Sequence, residues 1–203
     1  ESLAGRIQEF WLAPLSFREF LIFRGKKELI EKQRAFAGEL GRELEVYAGR
    51  QFIEIIFETQ EFVEGYVDTL ARKIIFEDIP QVFPIEQPHV LWKVFNIISS
   101  APGMLLDFHS LASDLGINEK TLAAYVDYLE MAFLVKRVYN FSRNQLTSER
   151  KLKKVYPLAS SFCRAELPQV IESLVVTQLQ SQFFWRKTHE VDCIVVEGKK
   201  LVP

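Results

Sequence analysis

The middle of the sequence changes from helical to strand-like hydrophobic spacing, and this change restricts the fold more than any other feature. Apolar residues recur at helical spacing over residues 91–98, and Pro102-Gly103 predicts the end of that helix. Residues 108–115 and 119 to about 131 repeat the helical spacing on either side of a glycine. We therefore predict three helices here, the last two joined by a short glycine turn.

Two strand-like runs follow these helices, at residues 133–139 and 152–156. Helix, short turn and helix is the helix-turn-helix arrangement, and two strands after the second helix would form a wing. Asn118 precedes that second helix and is predicted to be its N-cap, because its side chain accepts a hydrogen bond from the first turn. Residues 87–157 are therefore predicted to form a winged helix-turn-helix.

The part of the chain before this segment is predicted to be a helical region over residues 1–86. Residues 15–23, 27–44 and 51–79 place apolar side chains at helical spacing, and many of these are Phe or Ile. Such bulky side chains are typical of a buried core. No low-complexity linker separates this region from the winged helix.

The end of the sequence predicts a different kind of structure. An aromatic run at residues 183–186, then Glu190, Val191 and Asp192, then an apolar run at residues 193–196 predict strand, tight turn and strand. The last part of the chain is therefore expected to add a small β component. The predicted fold class is mainly α with a small β component.

Charge is distributed unevenly along the chain, although the formal net charge is only -2. Between Lys136 and Lys154 the single acid, Glu149, stands among many cations, which suits contacts with nucleic-acid phosphates. The second helix of the helix-turn-helix is net acidic, so we expect binding through the wing in preference to base reading by that helix. The candidate nucleic-acid-binding residues are Lys120, Thr121, Lys136, Arg137, Arg143, Arg150, Lys151, Lys153 and Lys154. The alternative is that the winged helix is used only for packing or protein contacts.

Composition places the chain among ordinary globular proteins. No apolar run approaches the roughly 20 residues that a membrane-spanning helix needs, so no membrane partner is expected. Two cysteines, Cys163 and Cys193, are too few for a disulfide framework and suit a reducing compartment. A cytoplasmic location is therefore predicted.

Several short motifs in a fixed order carry a resemblance to a known family. They include Glu-Ser-Leu-Ala-Gly-Arg-Ile at residues 1–7, Pro-Leu-Ser-Phe-Arg-Glu-Phe-Leu at residues 14–21 and Glu-Val-Asp at residues 190–192. The others lie at residues 66–70, 76–79, 111–112, 121, 125, 128–130, 133–135, 172–176 and 184–186. Together they resemble the segment that follows the nucleotide-binding core in a large archaeal and bacterial family of AAA+ type ATPases.

This resemblance implies a protein in three parts. An ATPase core would precede a helical lid with a winged helix, and residues 158–203 would be part of an α/β module similar to the PD-(D/E)xK restriction-endonuclease fold. The sequence contains no glycine-rich phosphate loop followed by Lys and Ser or Thr. No cofactor is therefore expected in this chain, whereas ATP and Mg²⁺ would belong to the full-length protein. DNA is the expected partner, and self-association is expected from the AAA+ resemblance alone.

The resemblance also implies a metal site, for which Glu172 and Asp192 are the candidate catalytic and metal-binding residues. Glu172 matches the acid on the helix ahead of the sheet, and Asp192 matches the aspartate that opens the second strand. Two such carboxylates could hold Mg²⁺ and activate a water against a phosphodiester. The Glu-x-Lys expected to complete the site would fall just past Pro203. A metal-dependent nuclease module gated by the ATPase is therefore the alternative function.

Overall fold

A computed structural model of the protein describes residues 12–142, 152–197 and 200–203. These ranges are mixed α/β and mainly helical, which confirms the predicted fold class at that level. The helices have the following bounds: α1 Phe17–Phe23, α2 Lys27–Glu31, α3 Ala37–Ala48, α4 Gln60–Lys73, α5 Ile79–Val82, α6 Pro88–Ser100, α7 Phe108–Leu115, α8 Glu119–Met131 and α9 Leu167–Gln178. None of the helices in these ranges has the length and apolarity that a bilayer crossing requires.

The first three helices pack around one apolar cluster. The Ser16 hydroxyl caps α1 by accepting a hydrogen bond from the Glu19 N–H, and the Ser16 N–H donates one to the Glu19 carboxylate. The single helix expected over residues 27–44 is divided into α2 and α3. Leu29 of α2 and Tyr47 of α3 nevertheless enter the same buried cluster. Leu174 of α9 joins them, so the end of the chain helps to bury its beginning.

The predicted helix-turn-helix helices have the expected bounds. Gly116 ends α7 in the left-handed conformation (φ 68°), and the Asn118 side chain accepts a hydrogen bond of 2.8 Å from the Thr121 N–H at the start of α8. The strand expected from residue 133 begins two residues later. Phe133 has a φ of 60°, and the Leu134 N–H donates to the Leu129 carbonyl, so these residues close α8.

The strands are β1 Met104–Leu106, β2 Val135–Asn140, β3 Lys153–Pro157, β4 Phe183–Arg186, β5 Glu190–Glu197 and β6 Lys200–Val202. Within the described ranges they form one sheet in the order β1-β3-β2-β4-β5-β6. Neighbouring strands are antiparallel except β2 and β4, which are parallel. The β2–β4 pairing is short, at Tyr139↔Phe183 and Asn140↔Phe184. The sheet therefore continues across the predicted boundary between residues 157 and 158.

A buried polar network attaches the first helices to the residues that follow β3. Gln51 is 1% exposed, and its side-chain oxygen accepts hydrogen bonds from the backbone N–H and the hydroxyl of Ser160. Its side-chain nitrogen donates to the Tyr47 hydroxyl at 3.0 Å, and Tyr47 donates to the Leu15 carbonyl. Because these groups are buried, each depends on the others for its hydrogen bonds.

We expect Gln51→Met to lower the free energy of unfolding by about 2–4 kcal/mol, because it keeps the side-chain volume but leaves buried donors and acceptors unpaired. Urea denaturation measures this loss. Gln81→Met, at an exposed position, is the control and should change stability by less than about 0.5 kcal/mol. Equal stability of the two variants would contradict a stabilising role for the network.

Candidate functional site

Lys154 lies at the centre of a cluster of three carboxylates. Its Nζ is 2.5 Å from Glu190 Oε1, 2.7 Å from Asp192 Oδ1 and 3.5 Å from Glu172 Oε1. The lysine side chain is 7% exposed, whereas Asp192 is half exposed. One buried ammonium group therefore neutralises part of the charge of three acids. We call these four residues the Lys154 cluster.

The sheet and the last helix position these four side chains. Lys154 is in β3, between Leu105 of β1 and Val138 of β2. Glu190 and Asp192 are two residues apart at the start of β5, so strand alternation places both on one face. Glu172 comes from α9, which packs against both β3 and β5. The cluster therefore joins β3 to a helix and a strand from the last part of the chain.

Two further residues fix the position of Glu172. The Tyr156 hydroxyl donates a hydrogen bond of 2.7 Å to Glu172 Oε1, which is the same oxygen that faces Lys154. Gly103, just before β1, has a φ of 82° and approaches closely: a Cβ there would lie 3.0 Å from Glu172 Oε1 and from the Tyr156 ring. The position requires glycine both for its conformation and for the space.

Burial and the neighbouring carboxylates shift the pKa of Lys154 in opposite directions. Burial alone would lower the pKa of Lys154, but the hydrogen bonds to Asp192 and Glu190 and the charge of Glu172 outweigh it, so the pKa is raised. Burial raises the pKa of Tyr156, and its bond to Glu172 raises it further. At neutral pH the site therefore contains a charged lysine and a neutral tyrosine that donates a hydrogen bond.

The carboxylates do not fit Mg²⁺ in this arrangement. The structure brings Glu172 and Asp192, the two predicted metal ligands, to the same point, but the ammonium nitrogen of Lys154 lies at that point. Magnesium requires oxygen ligands at about 2.0–2.1 Å in an octahedron, which the lysine blocks. Across residues 12–142, 152–197 and 200–203, no group of three or more His, Cys, Asp or Glu residues is arranged to hold a metal ion.

Two of the cations predicted to bind nucleic acid are engaged within the protein. Lys154 belongs to the cluster described above. Arg137 is 19% exposed and forms ion pairs with Asp127 at 2.7 Å and with Glu130, both on α8. Its guanidinium Nε also donates to Glu130 at 2.6 Å. Arg137 therefore fastens β2 to the helix ahead of it and presents little charge to solvent.

The remaining candidates have varied surroundings. Lys120 is exposed on the first turn of α8, and Thr121 is half-buried beside it. Burial lowers the pKa of Lys136, which lies half-buried on β2. The Lys153 ammonium lies 5.3 Å from the centre of the Tyr139 ring, on the face of β3 opposite Lys154. The other three predicted residues, Arg143, Arg150 and Lys151, lie outside the described residues.

Glu190, Tyr156 and Gly103 were not among the predicted site residues, although two of them leave a signal in the sequence. Glu190 stands two residues before Asp192, the spacing at which two side chains share one face of a strand. Tyr156 stands in the same relation to Lys154 on β3. Nothing in the sequence around Gly103 indicates its contact with a helix about 70 residues later.

We expect Gly103→Ala to lower the free energy of unfolding by about 2–4 kcal/mol, because the new methyl group meets Glu172 and Tyr156 and the backbone is strained. Gly116→Ala is a matched control: its φ of 68° carries the same backbone strain, but nothing lies within 4 Å of its Cβ position. It should cost about 1–2 kcal/mol. Equal losses in chemical denaturation would contradict the close contact at Gly103.

Comparison with known proteins places the chain in a family. A family described as a domain of unknown function (DUF8612) matches residues 57–168, which is more than half of the chain. An uncharacterized protein of Haemophilus influenzae is 26% identical over 137 residues, covering 65% of this chain and 33% of that protein. The chain thus spans about a third of the length of this relative. No solved structure matches the chain. The chain belongs to the DUF8612 family.

Proposed function

We propose that this chain is a DNA-interacting regulatory portion of an AAA+ type ATPase, in which the wing of a winged helix contacts the DNA backbone. The observation that carries the proposal is the order of elements α6-β1-α7-α8-β2-β3. In the sheet, β1 pairs with β3 and β3 pairs with β2, all antiparallel. A helix-turn-helix (α7 and α8) is followed by a hairpin (β2 and β3), and the second strand of the hairpin pairs with β1, which lies between α6 and α7. This is the arrangement expected of a winged helix.

The charges favour the wing over α8 as the DNA-contacting element. Asp127 and Glu130 of α8 are bound to Arg137, and Glu119 lies 2.7 Å from the His109 ring. These acids would repel phosphates if α8 entered the major groove. The hairpin strands β2 and β3 lead to the segment that contains Arg143, Arg150 and Lys151. We therefore assign the main phosphate contacts to these three residues and a minor contact to Lys120.

The ATPase part of the proposal depends on the sequence resemblance. The relative from Haemophilus influenzae is about three times as long as the region it shares with this chain, so a protein of this kind has room for a further domain. We propose that the ATP-binding core, with ATP and Mg²⁺ as its cofactors, lies outside this chain. A cytoplasmic location and self-association through that core are part of the same proposal.

A metal-dependent nuclease module is the second candidate function. The observation in its favour is that Glu172 and Asp192, chosen from the sequence, contact the same lysine nitrogen. We rank it second because Lys154 lies where a metal ion would have to bind. Magnesium-dependent nicking of duplex DNA by the full-length protein, abolished by Asp192→Asn, would place it first. A winged helix that makes only protein contacts is the remaining alternative.

We expect the triple variant Arg143→Ala, Arg150→Ala, Lys151→Ala to weaken binding of a labelled DNA duplex by at least about tenfold at 50 mM salt. Loss of three phosphate contacts should also lower the salt dependence of log K by about 2–3. Fluorescence anisotropy over a range of salt concentrations measures both quantities. Lys120→Ala alone should weaken binding by less than about threefold.

The control is a second triple variant, Lys27→Ala, Lys32→Ala, Arg34→Ala, at exposed positions far along the chain from the wing. It removes the same charge, so it corrects for the general effect of a more acidic protein. Its affinity should stay within about twofold of the wild type. Absence of duplex binding by the wild type at low salt, or equal losses in the two triple variants, would overturn the proposal.

A further inference from the structure

We propose that Lys154 is the resident cation of its three-carboxylate cluster and that the cluster is a metal-independent junction holding the two halves of the sheet together. The ammonium group takes the place that a divalent ion would occupy in a nuclease-like module. The four residues of the cluster attach β1-β3-β2 to β4-β5-β6 whether or not the wing binds DNA.

The geometry of the lysine supports a built-in cation. An ammonium group has three N–H donors, and three carboxylates surround this one. The stem of Lys154 is buried, and the Phe184 ring centre is 5.5 Å from Nζ, so an aromatic face adds to the attraction. The farthest acid, Glu172, is held from its other side by the Tyr156 hydroxyl at 2.7 Å. The lysine ammonium therefore has a carboxylate for each of its three donors, and the site is complete with this one monovalent cation.

The strand pairing between the two halves of the sheet is short. Among the described residues, β2 pairs with β4 at Tyr139↔Phe183 and Asn140↔Phe184, and the Phe141 N–H donates to the Phe184 carbonyl. The Asn140 side chain also forms hydrogen bonds with the Arg186 backbone, and the Phe141 and Phe183 rings are in contact. A small buried cluster of Val138, Tyr156, Val176 and Phe184 lies beside this pairing. The Lys154 cluster adds ion pairs from β3 in one half to β5 in the other. Loss of Lys154 should therefore loosen the attachment of β4 and β5.

The lysine excludes a metal ion because its ammonium group occupies the position between the carboxylates, and not because the charges balance. Three carboxylates around one ammonium leave a net negative site, yet the cation position is already filled. Removing Lys154 would leave three carboxylates facing one another, which repel unless another cation enters. Oxygen donors of this kind bind Mn²⁺ and Mg²⁺. The three carboxylates are not arranged to hold a metal ion while the ammonium group lies between them. With a neutral residue at position 154, we expect them to close around a divalent ion, so that the junction becomes metal-binding.

Thermal denaturation of the wild type and of Lys154→Met, with and without about 5 mM Mn²⁺, tests whether loss of the lysine lets the cluster bind a metal ion. We expect Lys154→Met to lower Tm by about 5–10 °C and Mn²⁺ to restore at least about 3 °C of that loss. Mn²⁺ should leave the Tm of the wild type unchanged. The control is Lys153→Met, on the opposite face of β3, which should lower Tm by less than about 3 °C and show no response to Mn²⁺.

Two results would overturn the inference. Equal Tm losses in Lys154→Met and Lys153→Met would show that the junction contributes no stability. Calorimetric titration that detects Mn²⁺ binding to the wild type, lost in Asp192→Asn, would show that the lysine does not exclude the metal. The titration of the wild type needs no variant at position 154, so it decides the metal question even if Lys154→Met fails to fold. Duplex binding by the wild type is measured separately and distinguishes failure here from failure of the proposed function.

Discussion

The attraction between Lys154 and the carboxylates of Glu172, Glu190 and Asp192 is the interaction on which the arrangement of the sheet depends. Burying an ammonium group is unfavourable by several kcal/mol, so it occurs only where opposite charges and hydrogen bonds offset the lost hydration. Here the acids come from α9 and β5 and the lysine from β3. The lost hydration of Lys154 is offset only when β3, β5 and α9 pack together, so the ion pairs favour this packing over others.

The same constraint separates two kinds of cation along the hairpin. Lys154 and Arg137 form ion pairs with carboxylates of the same chain and position the strands against α8, α9 and β5. The cations assigned to DNA are those in the segment between β2 and β3. A second attachment, the polar network around Gln51 and Ser160, fixes the first helices against the residues after β3. The cations that hold the strands, Arg137 and Lys154, therefore lie on either side of the cations that we propose contact DNA.

Local signals in the sequence were sufficient for the helices of the central segment. The glycine after α7 and the Asn118 cap predicted where α7 ends and α8 begins, because both act through hydrogen bonds within a few residues. Pairing over long distances was not predictable in the same way. The short strand β1 and the parallel pairing of β2 with β4 depend on partners about 45 residues or more away. The hydrophobic pattern around each strand does not indicate which distant strand it pairs with.

The candidate site was predicted in part. Glu172 and Asp192 were chosen from the resemblance, and they do meet at one nitrogen. Lys154 was expected on the DNA surface because it stands beside Lys153 in a basic run, and composition cannot distinguish two adjacent lysines. Strand alternation places them on opposite faces, and only the fold shows which face carries the acids. The identity of the cation at the acids therefore required the structure.

A double-mutant cycle between Lys154→Met and Asp192→Asn tests the central claim most directly. If the ammonium and the carboxylate stabilise each other, Asp192→Asn should destabilise the wild type by about 1–2 kcal/mol. In the Lys154→Met background the same change should be neutral or stabilising, because it removes one of three carboxylates that then repel each other. A coupling free energy of at least about 1 kcal/mol is the predicted result. Additivity within about 0.3–0.5 kcal/mol would contradict the account.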